Sequence, residues 1–467
     1  MDNITHTSAA GLARAIRAKN VSSEEAVGAY LKSIENINPS LNAVIRLRAE
    51  EARAEARHAD ALLARGKIAG PLHGVPVTVK DSFDTAGVVS TGGTEGRRSF
   101  VPDRDATAVG RLRSAGAVLL GKTNVSELSL SYESDNLVYG RTNNPYSLLH
   151  TPGGSSGGEA AAIAAGGSPL GLGSDSAGSI RLPAHFCGIA GIKPTTGLVP
   201  ATGLFPPYIW MMEQLSAVGP LARFVEDLAL TLPILAGTDW LDPSTVPVPP
   251  GDSGKVTLGI LSAAFYTDNG IMSPTRETSE AVKSAAGALS DAGLAVVEDR
   301  PDIIGMSQDL MSSLLSADGG SGINILLQMA GTSSPHTLTR QLLDSVGACA
   351  VSAAEFGGMM YRWRFFRCEM LSFLKKYDVI ICPACALPAM PHGAAASGEN
   401  APAFSYATTY NLTGWPAVVV RCGTSPEGLP IGVQVVARPW REDVALAVAL
   451  HIEKALGGWQ PPPLPHY

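Results

Sequence analysis

Basic residues, cysteines and long apolar runs are all in short supply in this chain, and each shortage removes a class of function. Lysine and arginine total 35 against 42 aspartates and glutamates, a formal net charge of −7. Without a basic excess there is no electrostatic footprint for phosphates, so neither a nucleic acid nor an anionic membrane is expected as a partner. No uninterrupted apolar run is long enough to cross a bilayer. Residues 1–20 lack the apolar core of a signal peptide, and the expectation is a cytoplasmic protein. Six cysteines scattered from Cys187 to Cys422 do not form a disulfide framework. Cys382 and Cys385 make one C-x-x-C, but it follows a strand and has no second pair at zinc spacing. Both are read as structural, and no metal or cofactor is expected.

What the chain does have is glycine, clustered most densely at residues 151–183, TPGGSSGGEAAAIAAGGSPLGLGSDSAGSIRLP. Two Gly/Ser loops, 153–158 and 173–179, flank an Ala-rich run. Glycine costs chain entropy, so such a cluster implies backbone that takes unusual dihedrals or approaches a ligand closely. A flexible linker is the other reading, but the apolar runs at 160–165 and 169–172 are of the buried type. Serines in such loops are candidate nucleophiles with oxyanion donors beside them in sequence. An apolar content of 45% supports an ample core. Length allows two or three domains, or one large α/β unit.

Two patterns mislead. Residues 116–123, GAVLLGKT, satisfy the P-loop pattern, yet Ala-Val-Leu-Leu forms a strand and cannot wrap an anion. Residues 153–157, GGSSG, fit the nucleophile elbow of α/β-hydrolases and would make Ser155 the nucleophile of a serine esterase. That mechanism needs a histidine base downstream, and neither His336, His392 nor His451 has a recognisable context. The elbow should also follow a buried strand, whereas the residues before it read as loop.

Three segments in order carry a resemblance. Residues 74–81 read GVPVTVKD, 153–158 read GGSSGG, and 173–181 read GSDSAGSIR. Together they resemble the amidase signature family of serine hydrolases, and the resemblance covers nearly the whole chain outside roughly 238–355. It implies Ser179 as nucleophile, Ser155 as bridging serine and Lys80 as base, with the amides of Ser176, Ala177, Gly178 and Ser179 as oxyanion hole. It also implies a cis peptide at Gly154–Ser155. Ala177 stands where many members have glycine, which is tolerable only if that position needs no positive φ. Lys80 can act only when neutral, so its pKa must fall from about 10.4 toward roughly 7–8, which burial can achieve. Asp175 and Arg181 flank the nucleophile and are read as a scaffold ion pair, although an arginine can equally bind a substrate carboxylate.

The implied fold class is α/β, one large domain over 1–467 with a mixed central β-sheet covered by helices on both faces. Its parts are a helical lead-in (1–65), a catalytic core (74–237), a variable pocket region (238–377) and closing strands with a last helix (378–467). Ser22 and Glu25 form a capping box for a helix stopping before Pro39, and residues 48–65 form another ending at Gly66. Strands are expected at 42–47, 75–80 and 117–120, with a helix between at 106–114. Residues 219–227 open a helix reaching 236. A βαβ unit is read from 257–261, 279–292 and 296–297, a mostly helical stretch from 303–356, and a helix at 361–377 running into a strand at 378–381. Segments 410–417 and 428–434 resemble the family's closing strands, and 442–456 its last helix.

Residues 205–212, FPPYIWMM, form a bulky apolar loop that departs from the commoner sequence. Phe205, Tyr208, Ile209, Trp210, Met211 and Met212 are expected to line a pocket for neutral aryl or apolar amides, and for carbamates. The expected partner is that small-molecule substrate, and the expected state a monomer or homodimer. The alternative is the A subunit of a glutamine-dependent tRNA amidotransferase, another member of the family.

Overall fold

A computed structural model describes residues 4–208 and 211–463. Its strands are β1 (Val44–Leu47), β2 (Pro76–Lys80), β3 (Val118–Thr123), β4 (Leu170–Asp175), β5 (Ala190–Lys193) and β6 (Ala217–Ala222). β7 (Ser262–Phe265), β8 (Ala295–Glu298), β9 (Val379–Pro383), β10 (Ala417–Thr424) and β11 (Pro430–Ala437) follow. All eleven join one sheet in the order β1-β3-β2-β4-β6-β5-β10-β11-β9-β7-β8. β2 runs parallel to both β3 and β4, and β7 parallel to both β8 and β9, while the strands between pair antiparallel. The chain is therefore a single α/β domain with a mixed sheet.

The two faces are covered by different helices, and the period-2 alternation of β11 shows it. Ile431, Val433, Val435 and Ala437 join the apolar cluster of helices Arg276–Asp291 and Glu442–Leu456. Between them, Gly432 lies against His185 and Gln434 reaches Arg181, both on helix Arg181–Phe186. β2 is buried at all five positions, as its β-branched run predicts. Its register pairs Thr78 with Gly171 and Val79 with Leu172, so Lys80 and the end of β4 emerge at the same edge of the sheet. Carboxyl ends of parallel strands are where such sheets place their sites.

Several boundaries differ from expectation. The capping box of Ser22 and Glu25 is present, but its helix runs Ser23–Leu41 with Pro39 inside the last turn. A proline there forfeits one backbone bond, and Leu41, fully buried beyond it, offsets the loss. Residues 219–222, expected to open a helix, belong instead to β6, and the helix begins at Val225. The strand expected at 257–261 is displaced to β7, because Leu258–Ile260 turn outward as a 3₁₀ helix with Ile260 exposed. Residues 410–413 belong to helix Ser405–Thr413, which Gly414 ends in the left-handed conformation before β10 begins. The 361–377 helix starts earlier, at Ala353, under a second capping box from Ser352 and Glu355.

The lead-in helices are fastened to this frame by one buried cation. Arg223, just after β6, donates to the carbonyls of Ile163 (3.0 Å), Ser168 (2.7 Å) and Thr7 (3.0 Å) and to the Tyr30 hydroxyl (3.0 Å). Replacing it with methionine keeps the bulk and strands those acceptors, each costing about 1–3 kcal/mol when buried and unmet. Arg223→Met is expected to lower the urea midpoint of unfolding by the equivalent of about 3 kcal/mol while leaving kcat nearly unchanged, as read by denaturation and steady-state assay.

Candidate active site

The site is built where two glycine-dependent loops and the end of one strand converge. β4 ends in Ser174-Asp175, and the chain turns through 176–180 into helix Arg181–Phe186. Asp175 organises that turn. Its carboxylate accepts from the backbone amides of Gly178 (2.8 Å), Ile180 (3.1 Å) and Arg181 (3.3 Å), and from Asn411 Nδ2 (2.9 Å). Gly178 takes φ of +107°, a conformation an L residue rarely adopts, and a Cβ there would also strike Leu182. Ala177 is not among the residues with positive φ, so alanine is accommodated at the position where the sequence raised a question.

Arg181 and Asp175 are both fully buried. Arg181 Nε and Nη2 donate to the two carboxylate oxygens (3.0 and 2.9 Å). Nη1 donates to the Ala407 carbonyl and Gln434 Oε1, both 2.7 Å, and Nη2 also to Asn411 Oδ1 at 2.6 Å. Five bonds match the five N–H groups a guanidinium carries, leaving none for a substrate carboxylate. Burial works against the charge on Asp175, yet Arg181 and Asn411 hold its carboxyl well below the usual range.

The second loop carries Ser155. The Gly154–Ser155 peptide is cis, as the resemblance implied. Gly154 is pressed against the 131–133 backbone, where an added Cβ would sit 2.6 Å from Glu133 N. Ser134 Oγ donates toward the carbonyls of Gly153 (3.1 Å) and Ser155 (3.2 Å) and accepts from Gly157 N (2.8 Å). Ser156 N reaches the Ser179 carbonyl at 3.3 Å, which joins the two serine loops directly.

The third element is β2. Lys80 is fully buried, and its Nζ donates to Ser155 Oγ at 2.7 Å and Ser174 Oγ at 2.9 Å. Burial brings its pKa down to about 7, against the opposing pull of Asp175 and Glu159. Near neutral pH a large fraction of this amine is therefore uncharged. The structure thus brings Lys80, Ser155 and the Ser174–Ser179 turn together, with Ser179 itself 6% exposed. Gly178 N–H is taken by Asp175 Oδ1, which turns that amide of the expected oxyanion set inward. Ser174 was not foreseen as a partner of the lysine, although its place beside Asp175 in the motif could have signalled it.

The apolar loop is split. Tyr208 is half-buried, with its hydroxyl enclosed beside Ser174, Ser176 and Ser216. Met211 is buried against Leu182, Phe186 and Leu215, and Met212 opens helix Met212–Leu215. Phe205 points elsewhere: it stacks on Arg97 at 3.8 Å and packs with Leu128, Leu326 and Leu327. Ile209 and Trp210 lie outside the described residues.

Gly116 excepted, the P-loop-like segment is mostly strand, and its Lys122 is buried, bonded to the Phe83 carbonyl, Thr85 and Ser90. His336, His392 and His451 bond Leu338 N, the Leu148 carbonyl and the Ala288 carbonyl, while Ser155 has Lys80 as partner. Burial pushes the Cys385 thiol up to about 12, which keeps it protonated. Among the described residues no group of three or more His, Cys, Asp or Glu is placed to hold a metal ion.

A family model described as Amidase matches residues 25–446. The chain is 33% identical to human fatty-acid amide hydrolase 2 over 493 residues, covering 96% of this chain and 88% of that protein. It is 32% identical to the A subunit of the glutamyl-tRNA(Gln) amidotransferase from Alkaliphilus metalliredigens, covering 94% of each. Among solved structures it resembles a 6-aminohexanoate cyclic dimer hydrolase complexed with substrate, with a TM-score of 0.84, 27% identity and 97% of each chain covered.

Removing Arg181 leaves Asp175 charged and buried without its counter-ion, which costs about 3–5 kcal/mol. Arg181→Met is expected to lose that much stability at pH 7 in calorimetry. The depressed carboxyl stabilises the wild type above its unfolded pKa of about 3.9, and that contribution fades as pH falls through the lower folded value. The gap between the unfolding curves of wild type and variant should therefore narrow below about pH 4.

Proposed function

This chain belongs to the amidase signature family and is a hydrolase of carbon–nitrogen bonds, and on that premise we propose that it works through Ser179, Ser155 and Lys80. The observation that carries the reading is the buried 2.7 Å contact between Lys80 Nζ and Ser155 Oγ, made by an amine whose pKa is brought to about 7. Neutral Lys80 takes the proton of Ser155 as Ser155 takes that of Ser179. Ser179 Oγ then attacks the carbonyl carbon, and the oxyanion rests on the amides of Ser176, Ala177 and Ser179. On collapse the proton returns through Ser155 to the departing nitrogen, leaving an acyl-enzyme that water cleaves by the same relay.

The substrate class we assign is neutral aryl or apolar amides, together with carbamates, whose urethane carbonyl suits the same attack. Two features support it. The arginine of the signature is saturated by protein partners and cannot clamp a carboxylate. Tyr208, whose hydroxyl lies beside Ser174 and Ser176, and the buried Met211 also stand in the apolar segment that follows the signature, and each buried methylene of a ligand contributes about 0.8 kcal/mol. The similarity to one component of an amidotransferase keeps a second reading, a member of a complex that acts only with its partners. Turnover of a simple anilide by the purified chain favours the hydrolase; glutaminase activity that needs added partner proteins favours the other.

Ser179→Ala is expected to lower kcat by roughly 10⁴-fold or more with the fold intact, and Ser155→Ala to leave a small residue of activity. A sulfonyl probe found by mass spectrometry on Ser155 rather than Ser179 would reverse the roles. Because neutral Lys80 is the active form, kcat/KM should rise with pH through about 7 and level off on the alkaline side. Lys80→Ala should harm amides more than matched esters, since an amine must leave protonated.

The substrate assignment is tested by comparing kcat/KM for a neutral anilide or N-aryl carbamate with that for glutamine, in the wild type and in Trp210→Ala. The aryl substrates should win in the wild type and weaken about tenfold or more in the variant. Preference for glutamine, or indifference to Trp210, would remove the aryl pocket.

A further inference from the structure

One buried carboxylate beside the triad has no part in the chemistry above. Glu159 lies on helix Gly157–Ala164, whose first residue is two positions after Ser155. It is fully buried, yet it sits on the sheet rather than in solvent or in an ion pair. Its Oε1 accepts from the Thr78 hydroxyl on β2 and its Oε2 from the Thr123 hydroxyl on β3, at 2.7 Å. The third wall is β4, where Gly171 pairs with Thr78. An added Cβ at Gly171 would land on the Glu159 carboxylate, so this glycine is the notch in which the carboxylate rests. Thr78 stands two residues before Lys80 on the same strand, and side chains at i and i+2 share a face. Glu159 and Lys80 therefore lie on one side of the sheet.

We propose that Glu159 is a positioning residue for the reaction, tying the helix behind Ser155 to the strand that ends in Lys80 and placing a carboxyl group beside that lysine. This inference rests on the Ser179–Ser155–Lys80 reading. The charged groups around the lysine define its consequence. Facing Lys80 are Glu159 from the helix and Asp175 from β4, besides the hydroxyls of Ser155 and Ser174. Asp175 is neutralised by Arg181, with Lys193 also near. Facing Glu159 are the two threonines, Lys80 and Lys122, and Lys122 in turn faces Asp81, Asp84, Arg97 and Asp105. Burial raises the Glu159 carboxyl to about 7, so the carboxylate and the amine lose their protons in the same pH range. Once ionised, Glu159 retains the proton on Lys80. Removing the charge alone must let Lys80 become neutral at lower pH.

The test is the rate at which phenylmethylsulfonyl fluoride sulfonylates Ser179, located by mass spectrometry across about pH 5–9, in the wild type, Glu159→Gln and Thr123→Val. The readout needs no knowledge of the natural substrate. Glutamine is nearly isosteric and can bond both threonines, so Glu159→Gln should keep the plateau rate within about threefold and move the midpoint of the pH profile down by about half a unit to one unit. Thr123→Val takes one hydroxyl donor from the carboxylate, weakens its ionised form and should move the midpoint the same way by less. A packing role would alter the plateau and the unfolding temperature without moving the midpoint. A midpoint unchanged or raised in both variants overturns the proposal. Absence of modification at Ser179 in the wild type, with label elsewhere, overturns the triad reading and this inference with it.

Discussion

The arrangement depends on a charge pair that water never reaches. Placing a carboxylate and a guanidinium at zero exposure costs several kcal/mol per ion, recovered only if every donor and acceptor is met. Asp175 and Arg181 meet the condition by recruiting β4, the turn after it, helix Ser405–Thr413 and β11. The turn that carries Ser176–Ser179 is thus shaped from beneath by a carboxylate rather than held by its own packing. Gly178 is the position that must be glycine for the turn to close over that carboxylate, and Ala177 is spared.

Lys80 presents the opposite case, a buried amine without a direct ion-pair partner among the described residues. Its nearest partners are neutral hydroxyls, and the acidic groups that act on it do so through space. Desolvation then favours the free amine, which is what a general base needs. Burial acts on Lys122 of the neighbouring strand in the same direction and brings it to about 8, with a carbonyl, two hydroxyls and Asp81 at 4.0 Å around it. Two buried lysines of adjacent strands thus share a lowered pKa and differ in their neighbours, Lys80 meeting Ser155 and Ser174, and Lys122 the Phe83 carbonyl, Thr85 and Ser90.

The two serine loops and the lysine strand were legible because local chemistry dictates them: glycine for positive φ and close approach, serine beside it, a β-branched run ahead of the lysine. Elements whose form is set by distant packing were not. Residues 219–222 read as the opening of a helix, yet belong to β6 because β4 and β5 lie on either side. Residues 258–260 read as strand and turn outward. Residues 410–413 continue a helix whose Asn411 reaches the Asp175–Arg181 pair, a long-range demand no local pattern displays. Glu159 looked like any polar residue of an Ala-rich helix, since the threonines and the glycine that receive it stand on three other segments. Phe205 looked like a pocket wall by its neighbourhood in sequence, and the packing turned it to Arg97.

The pair beneath the Ser176–Ser179 turn also sets an order of events. Arg181 bonds Asn411, 230 residues on, and Gln434, 253 residues on. Contacts of such separation form late, because the entropy of closing the loop must be met before they reward it. A ribosome-bound chain that has already emitted Lys80, Ser155 and Ser179 still has a guanidinium lacking acceptors and a turn lacking its base. The Ser176–Ser179 turn gains its full support only when the far end of the polypeptide has emerged and added its helix and strands, so the growing chain carries that turn without its base through most of synthesis.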